Sequence, residues 1–487
     1  MSTAAETPFV APDQRIFVLV AAILASSMGF IDGSVISIAT PAIRADLGAT
    51  LADAQWVSNA YLLLLSSVLL LGGAAGDRFG IRNVFAGGIL LFVAASLACA
   101  VAPTPAILIA ARAVQGLGAA FMVPSSLAII AKAYPRAERG GAIGIWSSAS
   151  SFFTIAGPVI GGLVLTALGD WSWRLVFAVN LPLGIGALAL LFLKIPADKP
   201  DAGRRLDIGG AILGTGALLL LALALTGEAT GATLRLVLGL GGLVLAGAFL
   251  WWESRARAPM VPLALFRDKA FAGAQGLTFA LYFSLAAITF YLPMVLIAGW
   301  TISPAEVSIV LLPLGLLLTV LSPVAGKLSD RFGPGPMIAA GSLLVALAFL
   351  GLGVFVGTHS VWFMVLPMMI LFGLGMSLVV SPLSTAVMTS VEDRDTGTAS
   401  GINNAVARVA GLFAVATMGG LGAAIFTATL GAGAGGFSFG MPQPGGLPPA
   451  AVAATDAGFA AIAYVTAALS LLSGIIAWFT LEKRIGK

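Results

Sequence analysis

Charge is what this chain has least of. Only 9% of its 487 residues are charged, against about 25% in a soluble domain. Its mean hydropathy is +1.04, and 59% of its residues are hydrophobic. Water does not solvate such a chain as a compact globule, so its solvent is lipid. It has one cysteine, Cys99, and one histidine, His359. That excludes an intrachain disulfide, a zinc site built on His and Cys spacing, and Ser-His-Asp chemistry placed in the membrane. Cys99 sits in an apolar run and reads as packing. His359 falls in a short polar break and reads as a solvated loop residue. The polar start, Met1 to Gln14, lacks a basic n-region and a cleavage site. The first apolar run therefore reads as a retained span rather than a signal peptide.

Glycine and apolar length are abundant instead. Sixty glycines would weaken soluble helices, but in a membrane they let helix backbones approach closely. Each span needs about 20 apolar residues. Fourteen segments qualify, at roughly 16–40, 53–74, 84–102, 105–131, 141–168, 173–195, 207–227, 233–252, 270–299, 304–326, 337–357, 361–385, 400–430 and 457–481. The expected fold is an all-α polytopic membrane protein with both termini on one side.

Basic residues orient it, because they concentrate on the cytoplasmic side. With the N-terminus in the cytoplasm, 20 of the 25 Lys and Arg residues fall on that side, from Arg15 to Lys487. Three (Arg44, Arg174 and Arg235) fall on the other, and Arg112 and Arg408 lie within spans. A multi-pass protein of the cell inner membrane with both termini cytoplasmic is expected.

An internal repeat divides the chain. Gly73-Ala-Ala-Gly-Asp77-Arg78-Phe79-Gly80 recurs as Gly326-Lys-Leu-Ser-Asp330-Arg331-Phe332-Gly333. Each copy follows the second span of a six-span unit, so parallel repeats are expected. This gives an N-terminal six-helix bundle (1–195), two inserted transmembrane helices (196–258) and a C-terminal six-helix bundle (259–487). Both copies read as cytoplasmic loops, with Asp77 at the start of the next helix, where it favours the dipole. Arg78 and Arg82 are placed to bridge helix ends as a latch for alternating access; a plain topogenic loop is the alternative. The Gly- and Pro-rich stretch 431–456 reads as a flexible extracytoplasmic loop.

Asp32 is the only acid well inside an apolar run; Glu228 and Glu306 lie near span ends and the other acids in loops or tails. Such a carboxylate is costly and faces a cavity or a partner. Counting about 1.5 Å per residue puts it roughly 24 Å from the cytoplasmic end, and Arg112 about 10 Å below the outer edge. The two depths are comparable. Asp32 reads either as a titrating proton site, as half of a permanent Asp32–Arg112 salt bridge, or as the cap of a kink at Gly33. Gly157-Pro158 with Gly161-Gly162 reads as a hinge or close helix contact, or as ordinary membrane-helix usage.

These residues resemble the major facilitator superfamily, in particular its fourteen-helix drug:proton antiporters. Gly73-x-x-x-Asp77-Arg78-x-Gly80-x-Arg82 is similar to the loop motif between helices two and three. Arg112-Ala-Val-Gln115-Gly116-Leu-Gly118-Ala-Ala120 is similar to the helix-four motif. Gly144 with Gly157-Pro158-Val-Ile-Gly161-Gly162 resembles the antiporter motif of helix five. Ile31-Asp32 through Pro41 and Trp171 through Gly184 resemble the motifs of helices one and six. Phe153 stands where a glycine is usual, and Ser37 and Thr40 where Asn and Leu are usual. The resemblance implies alternating access with Arg112 tuning Asp32 as the proton site.

The expected activity is export of hydrophobic or amphiphilic compounds in exchange for protons, without an enzymatic step. A dedicated exporter of an endogenous metabolite, lipid or siderophore is the alternative on the same fold. A membrane enzyme lacks a His/Cys/Asp cluster to support it, and the paired motifs argue against a static receptor. Candidate substrate-wall residues are Trp56, Asn59, Gln115, Tyr282, Tyr291, Asn403, Asn404 and Arg408. As a second intramembrane cation, Arg408 disfavours dicationic cargo and suits an anion or zwitterion. The expected partners are a lipophilic small molecule, protons and the bilayer, with no nucleic acid, for a monomer. No cofactor or metal is expected, the proton gradient being the energy source.

Overall fold

The computed structural model describes residues 9–481 except 197, 199, 201–202, 204–205, 227–230, 393–394 and 432–435. Glu228 and seven of the basic residues counted on the terminal face (Lys199, Arg204, Arg205, Arg394, Lys483, Arg484 and Lys487) lie outside the described residues. Among the described residues every regular element is helical, and fourteen segments are long and apolar enough to cross a membrane.

The N-terminal unit comprises α1 (Arg15–Leu47), α2 (Leu51–Phe79), α3 (Ile81–Ala100), α4 (Pro105–Ala133) and α5 (Arg136–Leu168), then α6 (Trp173–Ala178) and α7 (Asn180–Lys194), which together make the sixth span. Two further spans follow, α8 (Ile208–Thr226) and α9 (Ala232–Glu253). The C-terminal unit is α10 (Lys269–Met294), α11 (Pro304–Phe332), α12 (Pro334–Phe355), α13 (Leu366–Thr389), α14 (Thr396–Leu430) and α15 (Pro449–Thr480). Local chemistry starts these helices. Thr50 and Asp53 form a reciprocal capping box on α2. Thr104, Asp268 and Ser303 cap α4, α10 and α11, and Pro105, Pro304, Pro334 and Pro449 occupy first turns, where a missing N–H costs nothing.

The repeat seen in the sequence is a repeat of packing. In the first unit α1 packs on α5 and α7, α2 on α4, and α3 on α4 and α7; in the second, α10 packs on α14 and α15, α11 on α13, and α12 on α13 and α15. Glycines make the matching crossings possible. A Cβ on Gly88 would lie 3.0 Å from the Gly118 carbonyl, and one on Gly341 would lie 2.5 Å from that of Gly375. The units meet where α2 packs along α14 and α5 along α11. The inserted α8 lies against α2 and α14, where Leu63, Ala222 and Leu412 form a small core, and α9 packs on α8.

Helix ends depart from the sequence reading. α1 continues to Leu47 rather than residue 40, so Asp32 sits near the middle of a 33-residue helix. The helix runs unbroken through Gly33, and both Asp32 carboxylate oxygens bond to α4 rather than to the α1 backbone. Both repeated motifs are the last turns of helices, not loops: α2 runs through Asp77 and Arg78 to Phe79, and α11 through Asp330 and Arg331 to Phe332. Charged side chains that reach the interface lower hydropathy without ending the helix. Each motif's final glycine makes the turn into the next helix, at φ 91° for Gly80 and 83° for Gly333, a region that disfavours side chains. Asp77 therefore stands at the C-terminal end of α2, not at the start of α3. At the other end of the molecule α15 begins at Pro449, so residues 449–456 are helical and not loop.

Candidate functional site

Asp32 and Arg112 meet. Arg112 Nη1 lies 2.5 Å from Asp32 Oδ2, and each side chain is 1% exposed. Gln115, one turn along α4, donates from Nε2 to Asp32 Oδ1 at 3.0 Å and accepts from Arg112 Nη1 at 2.6 Å. Arg112 Nε donates to the Val57 carbonyl of α2 at 2.8 Å, and its guanidinium lies 4.3 Å from the Tyr61 ring centroid. Gln115 also donates to Ser96 Oγ at 2.8 Å, which accepts from Asn180 Nδ2 at 3.2 Å. One carboxylate thus ties α1 to α4, and through α4 to α2, α3 and α7. Cys99 is buried, with its Sγ 3.9 Å from Gln115 Oε1.

Glycine makes this approach possible. A Cβ on Gly116 would fall 2.3 Å from the Tyr61 carbonyl, and one on Gly118 would fall 2.6 Å from the Phe92 nitrogen. Helix-five glycines press on α1 beside Asp32. A Cβ on Gly157 would meet Ser34 Oγ at 3.0 Å, and one on Gly161 would meet Val35 at 2.8 Å. Gly162 faces the other unit, where a Cβ would lie 2.0 Å from Ser308 Oγ and 2.5 Å from the Pro304 carbonyl. Ser308 Oγ donates to the Pro158 carbonyl at 2.8 Å. Gly144 has open space around it.

Bonds that join the two units gather at the end away from the termini. Besides Ser308–Pro158, Ala305 N donates to Thr166 Oγ1 at 3.0 Å. Gln55 Nε2 of α2 donates to Tyr291 Oη at 3.0 Å, and Tyr291 donates to the Val415 carbonyl at 2.6 Å. Arg44, fully buried, donates to the Phe439 carbonyl at 2.9 Å and to Ser438 Oγ at 3.2 Å. Phe439 is 1% exposed between Tyr291 and Phe426. Ser438 and Phe439, from the stretch that composition marked as a flexible loop, are therefore docked here. His359 is also tied down: its Nε2 lies 2.6 Å from Asp456 Oδ2, and Asp456 Oδ1 accepts from Trp300 Nε1 at 2.9 Å.

At the terminal end the repeated motif has a partner that sequence reading did not find. Asp198, between α7 and α8, accepts from the backbone N–H of Ile81 at 2.8 Å and of Arg82 at 3.0 Å, and pairs with Lys132 at 2.9 Å. This carboxylate, rather than Asp77, faces the N-terminus of α3. Burial pushes the Asp198 carboxyl up, but Lys132 and the two backbone donors outweigh it and hold it below its ordinary 3.8. Arg82 donates from Nε to the Leu191 carbonyl at 3.1 Å and from Nη2 to the Phe192 carbonyl at 3.4 Å. Arg78 and Arg331 each lie over the following phenylalanine ring.

The comparisons decide the family. A sequence profile of the Major Facilitator Superfamily matches residues 22–415. The tetracenomycin C resistance and export protein of Streptomyces glaucescens is 35% identical over 410 residues, 82% of this chain and 74% of that protein. The chain belongs to the major facilitator superfamily. It is a multi-pass membrane transporter and not an enzyme. Multidrug resistance protein Stp of Mycobacterium tuberculosis is 33% identical over 424 residues, 85% of this chain and 77% of that protein. In shape the chain resembles a bacterial homolog of the human lysosomal transporter Spinster, with TM-score 0.67 and 17% identity over 96% of this chain and 97% of that one.

Within this superfamily fold the candidate wall residues separate. Gln115 belongs to the Asp32 network, and Tyr291 to the seal between units. Trp56 packs against the small core of Leu63, Ala222 and Leu412. Asn403 accepts from Thr278 at 2.8 Å. Asn59 is fully buried with neither amide atom partnered. Asn404 is exposed, and Arg408 and Tyr282 are half-buried. The charge network is confined to one unit. Leu314 meets Gly373 as Tyr61 meets Gly116, and this packing equivalence pairs Arg112 with the buried Met369. Ser96, Tyr61 and Asn180 escaped the sequence reading as site residues, although a polar side chain in an apolar run was the available signal.

Proposed function

We propose that the chain exports hydrophobic or amphiphilic small molecules in exchange for protons, by alternating access, with Asp32 carrying the proton. One observation carries this reading: the fully buried Asp32 holds α1 to α4 through Arg112 and Gln115. Protonation removes an acceptor from both Arg112 and Gln115 and loosens the tie. Residues Ile31 to Val35 lie against Gly157 and Gly161 of α5. The same helix seals against α11 through Gly162 and Ser308. A proton on Asp32 is thus linked by direct contacts to the seal between the units.

The two six-helix units, 1–195 and 259–487, rock about the α2–α14 and α5–α11 contacts, with α8 and α9 (within 196–258) riding on one seam. The excess of basic residues on the terminal face supports an inner-membrane protein with both termini cytoplasmic. The arrangement then seals the outer end. Relatives named as resistance and export proteins support efflux of drugs or antibiotics. A dedicated exporter of one endogenous compound is the second reading. It is favoured by relatives named for a single compound, among them a probable actinorhodin transporter of Streptomyces coelicolor, 31% identical over 408 residues.

Proteoliposomes with an imposed pH gradient and two fluorescent amphiphilic dyes, one anionic and one cationic, test the coupling. Wild-type protein should accumulate dye and dissipate the gradient, and Asp32→Asn should do neither. Transport and proton release by Asp32→Asn at the wild-type rate would remove the assigned role. A susceptibility screen in an efflux-deficient host separates the two cargo readings, since protection against several unrelated compounds excludes a dedicated exporter.

A further inference from the structure

The second intramembrane arginine has no counter-ion among the described residues. Among the described residues Arg408 forms no hydrogen bond and no ion pair, and its Nε is buried without a partner. The groups within electrostatic range of it are phenols, Tyr61 of α2 and Tyr282 of α10. Asp32 is already engaged by Arg112 and Gln115. Arg408 lies on the stripe of α14 that faces the other unit. Gly401 on that stripe meets Leu70 of α2, and Gly411 meets Leu62. Positions 401, 404, 408 and 411 follow helical spacing, so Asn404 stands one turn from Arg408 on the same face. Asn59 belongs to the α2 stripe that runs through Gln55 and Leu62 toward α14, and its amide is buried and unpartnered. A guanidinium at membrane depth is retained at a cost and marks a pathway or ligand. With no carboxylate paired to it among the described residues, the neutralising charge has to arrive with the cargo.

We propose that Arg408 anchors an acidic group of the transported compound, a carboxylate or an ionised enol or phenol, with Asn404 beside it and the Tyr61 and Tyr282 rings flanking the organic body. The guanidinium fork matches a planar anion with two oxygens. The cargo is then an amphiphilic organic anion rather than a lipophilic cation. This deepens the export reading and rests on it.

Two xanthene dyes of similar size, anionic fluorescein and cationic rhodamine 6G, provide the test. Binding is read by fluorescence anisotropy on the full chain in phosphatidylcholine nanodiscs, where no anionic lipid competes. Arg408→Gln should weaken fluorescein binding by about tenfold or more and leave rhodamine 6G unchanged or tighter. Arg408→Lys keeps the charge but loses the bidentate fork, so it should bind fluorescein more weakly than wild type and more tightly than Arg408→Gln, which also controls for folding. The proposal is overturned if wild-type protein shows no saturable fluorescein binding, if Arg408→Gln binds fluorescein as wild type does, or if both dyes weaken equally. Failure of the export reading looks different: wild-type proteoliposomes under a pH gradient would accumulate neither dye, whatever the binding data say.

Discussion

Arg44 of α1 donates to the backbone carbonyl of Phe439 at 2.9 Å, joining residues 395 positions apart across the two units. The guanidinium is fully buried and also reaches Ser438, and a hydrogen bond from a charged donor is worth about 1.5–3 kcal/mol. Opening the outer end requires breaking it. Arg44→Ala should therefore raise the ratio of outer-open to outer-closed molecules by about tenfold or more. Spin labels at the exposed positions Leu168 on α5 and Trp362 before α13 read this as a growing long-distance population. An unchanged distance distribution would show that the contact does not gate the outer end.

Asp32 and Arg112 are both 1% exposed, so neither tolerates loss of the other well. Removing one partner of a buried ion pair costs about 3–5 kcal/mol, because it strands the remaining charge. Arg112→Gln should thus lower the thermal unfolding midpoint in detergent. Combining it with Asp32→Asn should restore part of the loss, because no charge is then stranded. Additive losses in the double variant would mean that the two side chains are not energetically coupled.

The spans were legible because about 20 consecutive apolar residues have few alternatives to crossing a bilayer. The two-unit packing followed from one repeated octapeptide. Helix ends were less legible: hydropathy falls at Asp77 and Arg78, while the backbone hydrogen bonds of α2 run on to Phe79. Asp32 and Arg112 were matched by depth counting, since helical rise is fixed. Asp198 was not found, because it comes from a connection 117 residues away from the N–H of Ile81 that it accepts from. The docking of Phe439 was equally hidden in a stretch whose glycine and proline content suggests only irregular backbone.

The helix-five glycines separate packing from conservative sequence change. A methyl at Gly162 would clash with Ser308 Oγ and the Pro304 carbonyl, a backbone atom that has no rotamer to escape into. Gly162→Ala should push α5 and α11 apart at the outer end and lower the transport rate by about tenfold or more, as a seal loss of about 1.4 kcal/mol implies. Gly144, with nothing within 4 Å of its Cβ position, serves as the control, and Gly144→Ala should transport like wild type. Equal rates for all three proteins would remove the close α5–α11 contact from the transport cycle.

Asp198 gives the terminal end a defined acid limit. Its folded-state pKa lies below the ordinary 3.8 because Lys132 and the Ile81 and Arg82 amides outweigh the effect of burial. A depressed carboxylate adds stability that is fully present above its unfolded value and disappears as pH falls through the lower folded one. At neutral pH, Asp198→Ala should therefore cost about 1–3 kcal/mol, since the side chain is only 3% exposed. The gap between wild type and variant should hold steady from about pH 8 to pH 5, then close below about pH 4. Thermal unfolding across that range measures it, and hydrogen exchange at the Ile81 and Arg82 amides reports the same tie locally. A gap that widened on acidification would mean that the carboxylate is destabilised by its site, and that α3 is held at its start by something other than this charge.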